Sequence, residues 1–162
     1  MGELLSPPYA DDLFERLLAL NNAHAEELSY KTPEDFALLL AAASHVRAEP
    51  QGLGLIVAFD DTCTYDNPNF GWLKQRFQRF YYIDRVVVDG AARGRGLARQ
   101  FYAGLEERAR AESRQRLACE INSVPPNPQS DAFHERLGFH PVGSQVLEGQ
   151  GKTVRYWSRE LS

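Results

Sequence analysis

The chain has 162 residues, 43% hydrophobic and 25% charged, a length and balance that fit one domain spanning residues 1–162 with one sizeable core. This composition excludes disorder, collagen-like repeats and a disulfide scaffold. A formal net charge of -4 argues against a general nucleic-acid coat but leaves room for a local basic site. Cys63 and Cys119 have no CxxC partner and match no zinc spacing, so they read as reduced thiols and no metal site is expected. No apolar run reaches the ~18 residues that a membrane span needs. The first dozen residues are acidic and lack the basic n-region of a signal peptide, so the expected location is the cytoplasm.

In chain order, Leu13, Phe14, Leu17, Leu18 and Leu20 recur at helical spacing, and this first helix fades near Leu28. Thr32 is the N-cap of a second helix, with Pro33 at its first position and Phe36, Leu39, Leu40 and Ala43 on its apolar stripe. Residues 53–59 are apolar throughout, as a strand covered on both faces should be. A long polar loop, 60–69, precedes an aromatic-rich helical turn over 70–77. Residues 80–88, rich in β-branched and aromatic side chains, form the second strand. A Gly- and Arg-rich loop then opens a helix over 97–113, where Leu97, Phe101, Leu105 and Ala109 repeat every fourth residue. The third strand covers 116–121, and a short helix from Ser130 ends at Leu137, before Gly138. Two strands, 139–147 and 152–161, finish the chain. The order is ααββαβαββ, one mixed α/β domain with no repeat and no linker.

The segment from Val86 to Gln100 carries the chemistry. Orphan N–H groups and the helix dipole make the start of a helix an anion site. Gly94 and Gly96 let the backbone approach a phosphate, and Arg93 and Arg95 add charge. A Walker A loop is excluded because no suitable Gly-Lys pair exists. A Rossmann fingerprint fails at Arg99, where Gly or Ala is required. The acyl-CoA loop pattern, (Arg/Gln)xxGx(Gly/Ala), fits at every fixed position of Arg93-Gly94-Arg95-Gly96-Leu97-Ala98.

With that loop the chain resembles the GNAT superfamily of N-acetyltransferases. A second block, Asn127 followed by Ala132 to Phe139 with its Leu-Gly-Phe ending, is similar to the family's second signature. The resemblance implies a mixed, splayed central β-sheet flanked by helices, with acetyl-CoA as cosubstrate between two diverging strands. It implies that backbone groups of Val86, Val87 and Val88 pair with the pantetheine arm. The amides of Arg93, Gly94, Arg95, Gly96, Leu97 and Ala98 would hold the pyrophosphate, and Asn127 would touch the pantetheine arm or its loop. Cys119-Glu120-Ile121 resembles the Leu-Glu-Val strand of ribosomal-protein N-terminal acetyltransferases, which makes Glu120 the base candidate. A Glu in an apolar strand needs a partner, water or a function, and a salt-bridged Glu120 is the structural alternative. Asp84 is the rival base, and a pair with Arg85 is its structural alternative.

One position departs from the family pattern. His134 stands where the family usually has a Tyr that protonates the departing thiolate. An imidazole can do this near neutral pH, so His134 is the acid candidate, with a structural replacement as the alternative. Tyr102 and Tyr156 fit core stripes and are set aside as donors. His24, His45 and His140 are scattered and read as ordinary, and Cys119 sits on the apolar face of its strand.

The expected activity is acetyl-CoA-dependent transfer of an acetyl group to a primary amine by direct attack in a ternary complex. The alternative is a non-catalytic acyl-CoA-binding or sensing domain. The acceptor, a small molecule or a protein N-terminus, falls to the region of Asn21, Asn22, His24, Glu26, Glu27 and Tyr30. The 60–69 loop is an acceptor lid or an interface. The aromatics from Phe70 to Tyr82, with Lys74, Arg76 and Arg79, imitate a base-stacking surface, but packing over the cleft or a homodimer contact is the expectation, and no nucleic-acid or membrane partner is expected. Charge is segregated along the chain: residues 1–73 carry a net -9, and residues 74–116, which hold the phosphate loop, a net +6. This split suggests a cationic acceptor, with solvated surface charge as the alternative.

Overall fold

Three helices begin where a side-chain oxygen meets an orphan backbone N–H. Thr32 Oγ1 accepts from the Asp35 amide, Asn67 Oδ1 from the Asn69 and Phe70 amides, and Asn127 Oδ1 from the Ser130 amide. In each case the next residue is a proline, whose fixed φ suits the first helical position and whose missing N–H costs nothing there. These caps start α3 (Pro33–Ala42), α4 (Pro68–Lys74) and α6 (Pro128–Arg136) in the computed structural model, which describes residues 3–162. Before them lie α1 (Asp11–Ala23) and a single turn, α2 (Ala25–Leu28). The long helix α5 spans Leu97–Ala111.

Six strands form one sheet in the order β1-β2-β3-β4-β6-β5. They are β1 (His45–Ala48), β2 (Gly54–Asp60), β3 (Phe80–Val88), β4 (Arg116–Val124), β5 (His140–Leu147) and β6 (Lys152–Glu160). Among the described residues, β3 and β4 are the one pair that runs parallel. The sheet carries a core on each face. Leu55, Val57 and Phe59 of β2 pack with α1, α3 and α4, while Ile56 and Ala58 pack with α5. This two-sided burial is why β2 is apolar at nearly every position.

The mixed α/β class and splayed sheet agree with the reading from sequence, and the element order is fuller. The four residues of β1 were not anticipated; they pair with β2 at the sheet edge. The first helical stretch breaks at His24 into α1 and the α2 turn. The aromatic segment is inward packing. Phe70, Phe80, Tyr81 and Tyr82 are fully buried, and Trp72 stacks on Tyr156 with centroids 4.1 Å apart. Of the cations near them, Lys74 lies over Phe70, Arg76 over Trp72 and Arg116 over Phe77, while Arg79 donates to the Ser113 carbonyl. Among the described residues, no helix is long and apolar enough to cross a membrane.

Gly54 shows how tightly β2 meets the start of α5. A Cβ there would lie 2.6 Å from Leu97 Cδ2 and 3.0 Å from Phe101 Cε2. Gly54→Ala should therefore cost about 1–3 kcal/mol through overpacking. Urea unfolding of the variant checks this, and an unchanged midpoint would contradict the packing.

Candidate active site

The site is made by two strands that part. β3 and β4 pair only from Phe80↔Arg116 to Tyr82↔Ala118. Beyond Ala118, β4 continues beside β6, and β3 continues beside β2. The β2–β3 register passes from Ala58↔Ile83 to Val57↔Arg85, so Asp84 is the extra residue of a β-bulge. A bulge bends its strand and can end pairing. From Ile83 to Val88 the side of β3 toward β4 has no strand partner, and its peptide groups are open to an extended ligand.

Three connected cavities fill the resulting cleft. A central one of about 140 Å³ is lined by Asp84, Val86, Tyr102, Glu120, Asn127 and His134, among others. On the β3 side it meets a cavity of about 270 Å³ bounded by Val86–Val88, Arg93, Ala98 and Phe133. On the other side lies a cavity of about 440 Å³ bounded by Glu27, Lys31, Asp66, Glu120 and Lys152. Glu27 and Leu28 line all three.

The loop between β3 and α5 has the backbone of an anion cradle. Gly94 and Gly96 hold φ values of +80° and +76°, the left-handed region that glycine enters without strain. A Cβ at either would meet open space, so both backbones face outward to solvent. Gly96 is the N-cap of α5 and offers no side chain to its N–H groups, which leaves the first amides of the helix for a ligand. Leu97 turns its own side chain into the core. This geometry and the open β3 edge fit a ligand with a pyrophosphate and an extended amide arm.

Glu120 lies at the floor of the central cavity and also borders the 440 Å³ cavity. Tyr82 Oη donates to its Oε1 at 2.7 Å. Burial, then the nearby Asp84 carboxylate, pushes its carboxyl up to about 8, against the Tyr82 hydrogen bond and Arg85. Asp84 is bound at 2.7 Å to Arg85, and both side chains are almost wholly buried. Arg85 Nη1 donates in turn to Asn21 Oδ1 at 2.7 Å. Asn21 and Asn22 thus serve the fold: Asn21 Nδ2 donates to the Ser29 carbonyl, and Asn22 bonds the backbone of Lys31 in both directions.

His134 is 6% exposed, with both ring nitrogens engaged. Nδ1 lies 2.8 Å from the Ser130 carbonyl oxygen, and Nε2 lies 2.6 Å from Tyr102 Oη. Burial pushes the imidazole below its usual range, against the Ser130 carbonyl and Asp131. Tyr102 does more than fill the core stripe, since it lines both the central and the β3-side cavities. Sequence reasoning missed this because Tyr102 and His134 are 32 positions apart and only tertiary packing joins them. Tyr156 by contrast is fully buried, its hydroxyl on Asn69 and Gln145. Asn127 both caps α6 and borders the central and β3-side cavities. Of the other histidines, His24 borders the β3-side cavity, His45 is buried near Arg108, and His140 is exposed. The Cys119 thiol is buried, which pushes its ionisation well up and makes it a poor nucleophile.

A family model described as the acetyltransferase (GNAT) family matches residues 17–139. The chain belongs to the GNAT acetyltransferase family. Its matched region includes the divergent strands, the glycine loop, Glu120 and His134. Solved structures share the GNAT fold at low identity. A ribosomal-protein-alanine N-acetyltransferase from Brucella melitensis is 21% identical, with 98% of this chain and 100% of that chain covered and a TM-score of 0.68. The NatC complex bound to Gag peptide and CoA contains a chain 16% identical, with 99% and 100% covered and a TM-score of 0.70. An N-acetyltransferase from Staphylococcus aureus Mu50 is 17% identical, with 99% and 100% covered and a TM-score of 0.69. No curated protein matches the chain.

Proposed function

We propose that this GNAT chain is an acetyl-CoA-dependent N-acetyltransferase that moves an acetyl group to a primary amine by direct attack in a ternary complex. One observation carries the reading. A half-buried carboxyl held near 8, Glu120, sits where the open edge of β3 and a second cavity meet. A base with that ionisation suits removal of a proton from an amine at mildly alkaline pH, at and above about 8. Acetyl-CoA would supply the activated acyl group.

The roles of the residues follow from their places. The amides of Arg93 to Ala98 bind the pyrophosphate, helped by the Arg93 and Arg95 charges and the α5 dipole. The backbone of Val86, Val87 and Val88 orients the pantetheine arm, and Asn127 closes the far wall. An N–H of the open β3 edge stabilises negative charge on the carbonyl oxygen. Glu120 takes the amine proton on its carboxylate. Asp84 stands second as base, because its ion pair with Arg85 already uses its charge. His134 and Tyr102, hydrogen-bonded to each other, occupy the acid side of the cleft. Much of the rate comes from positioning.

The 440 Å³ cavity is the acceptor's place. Its walls carry both signs, with Glu27, Asp66 and Asp84 against Lys31, Arg85 and Lys152. With Glu120 also on the wall, four carboxylates face three cations, so the charge split along the chain is weaker at the cavity than in the sequence. A small amine and a peptide N-terminus both fit this reading; the second is favoured by the peptide and CoA named for the NatC structure. Release of free thiol from acetyl-CoA across a panel of small amines and peptides tests the reading. Turnover on at least one amine is expected. Acetyl-CoA binding with no turnover on any amine would favour an acyl-CoA-binding or sensing domain.

A further inference from the structure

The geometry points to Tyr102, and not His134, as the group that meets the leaving sulfur, with His134 as the positioning residue behind it. The inference rests on the acetyltransferase reading above.

His134 lines the same cavities as Tyr102, but both of its ring nitrogens are already engaged. A carbonyl oxygen presents only lone pairs, so Nδ1, at 2.8 Å from the Ser130 carbonyl, carries the proton. Nε2 is then an acceptor, and Tyr102 Oη–H donates to it at 2.6 Å. The Tyr102, Phe133 and Phe139 rings all stand edge-on to the imidazole, with centroids 5.2–5.4 Å away. That cage holds the imidazole plane. Tyr102 comes from α5, directly behind the phosphate loop, and lines both the central and the β3-side cavities. A phenol thus returns to the site from another helix, although the position the family usually gives to tyrosine holds a histidine.

The hydroxyl is a rotor with two acceptors in turn. At rest it donates to Nε2, so a buried O–H is satisfied. As negative charge grows on the sulfur, Tyr102 Oη–H turns from Nε2 toward it. A charge-assisted hydrogen bond is roughly twice as strong as a neutral one, so the swap is favoured only when charge develops. An interaction that strengthens along the reaction lowers its barrier. No covalent bond of the protein breaks, and His134 Nδ1–H stays on Ser130 throughout. Burial pushes the Tyr102 hydroxyl's ionisation far above its usual range, which keeps it a donor at every working pH.

The probe is CoA itself, its bound thiol titrated by thiolate absorbance on the wild type, Tyr102→Phe and His134→Phe. The bound thiol should ionise about one pH unit lower on the wild type than on Tyr102→Phe. His134→Phe should move it less, because the Tyr102 hydroxyl remains. A larger displacement in His134→Phe, or equal values in all three proteins, would overturn the inference. A second measurement needs no variant. Imidazole ¹⁵N spectra of the free wild type should show His134 as the Nδ1–H tautomer. Saturation with CoA above the bound thiol's ionisation should then shift Nε2 as it loses the hydrogen bond from Tyr102 Oη–H; an unmoved resonance contradicts the swap. Failure of the wild type to bind CoA would remove the acetyltransferase reading together with the inference, whereas CoA bound with an unshifted thiol removes the inference alone.

Discussion

Gly96→Glu should weaken CoA binding by about 100-fold or more, a loss on the order of 3 kcal/mol, while the protein stays folded. Two effects separate cleanly at this position. Gly96 has a φ of +76°, and a side chain there costs roughly 1–2 kcal/mol of backbone strain. No neighbouring atom lies within 4 Å of the added Cβ, so no clash is added to that strain. A carboxylate at a helix N-terminus is favourable in the free protein, which offsets part of the cost. Thermal unfolding should fall by only a few degrees. The same carboxylate occupies the place proposed for the pyrophosphate and repels it, which is where the large loss arises. Gly96→Ala carries the strain without the charge and should lose far less affinity. Calorimetric titration with CoA distinguishes the three proteins, and a Gly96→Glu affinity equal to the wild type would remove the loop from the binding site.

The parts legible in the sequence were those governed by neighbours along the chain. Thr32-Pro33 marks a helix start because cap and first turn lie within three residues. Asn67-Pro68 and Asn127-Pro128 carry the same signal, but the expected starts at residue 70 and at Ser130 fall later than the observed Pro68 and Pro128. The 93–98 loop was legible because its chemistry needs glycines at fixed local spacing between a strand and a helix. What escaped depends on distant parts of the chain. β1 is four residues long and exists through its pairing with β2. The bulge at Asp84 is a property of register against β2, invisible in β3 alone. Arg85 and Asn21 are 64 positions apart, and their bond gives a structural role to Asn21, a residue that sequence reasoning assigned to the acceptor. Tyr102 has the spacing of a core residue and is one, but its hydroxyl also reaches the cleft. Periodicity reports which face a residue takes and is silent about where its polar tip ends.

Glu120→Gln should remove the ascending limb of the pH–rate profile. The wild-type carboxyl is held up to about 8 by burial and by Asp84. Below that pH it is protonated and cannot accept a proton, so kcat/KM should fall as pH drops through about 8. The amide of Gln keeps the size of Glu and can still accept from Tyr82 Oη, so the fold should be little changed. It cannot take a proton, and the loss at high pH should reach roughly 10²–10⁴-fold. An acceptor amine of low basicity keeps its own titration out of this range. Asp84→Asn supplies an independent check through the same carboxyl. It removes a neighbouring negative charge and releases Arg85, and both changes favour the Glu120 anion. The ascending limb should therefore move to lower pH in Asp84→Asn while the plateau survives. Its disappearance in Asp84→Asn, together with an unchanged profile in Glu120→Gln, would reverse the roles of the two carboxylates. A limb present in both variants at the wild-type position would assign proton removal to water.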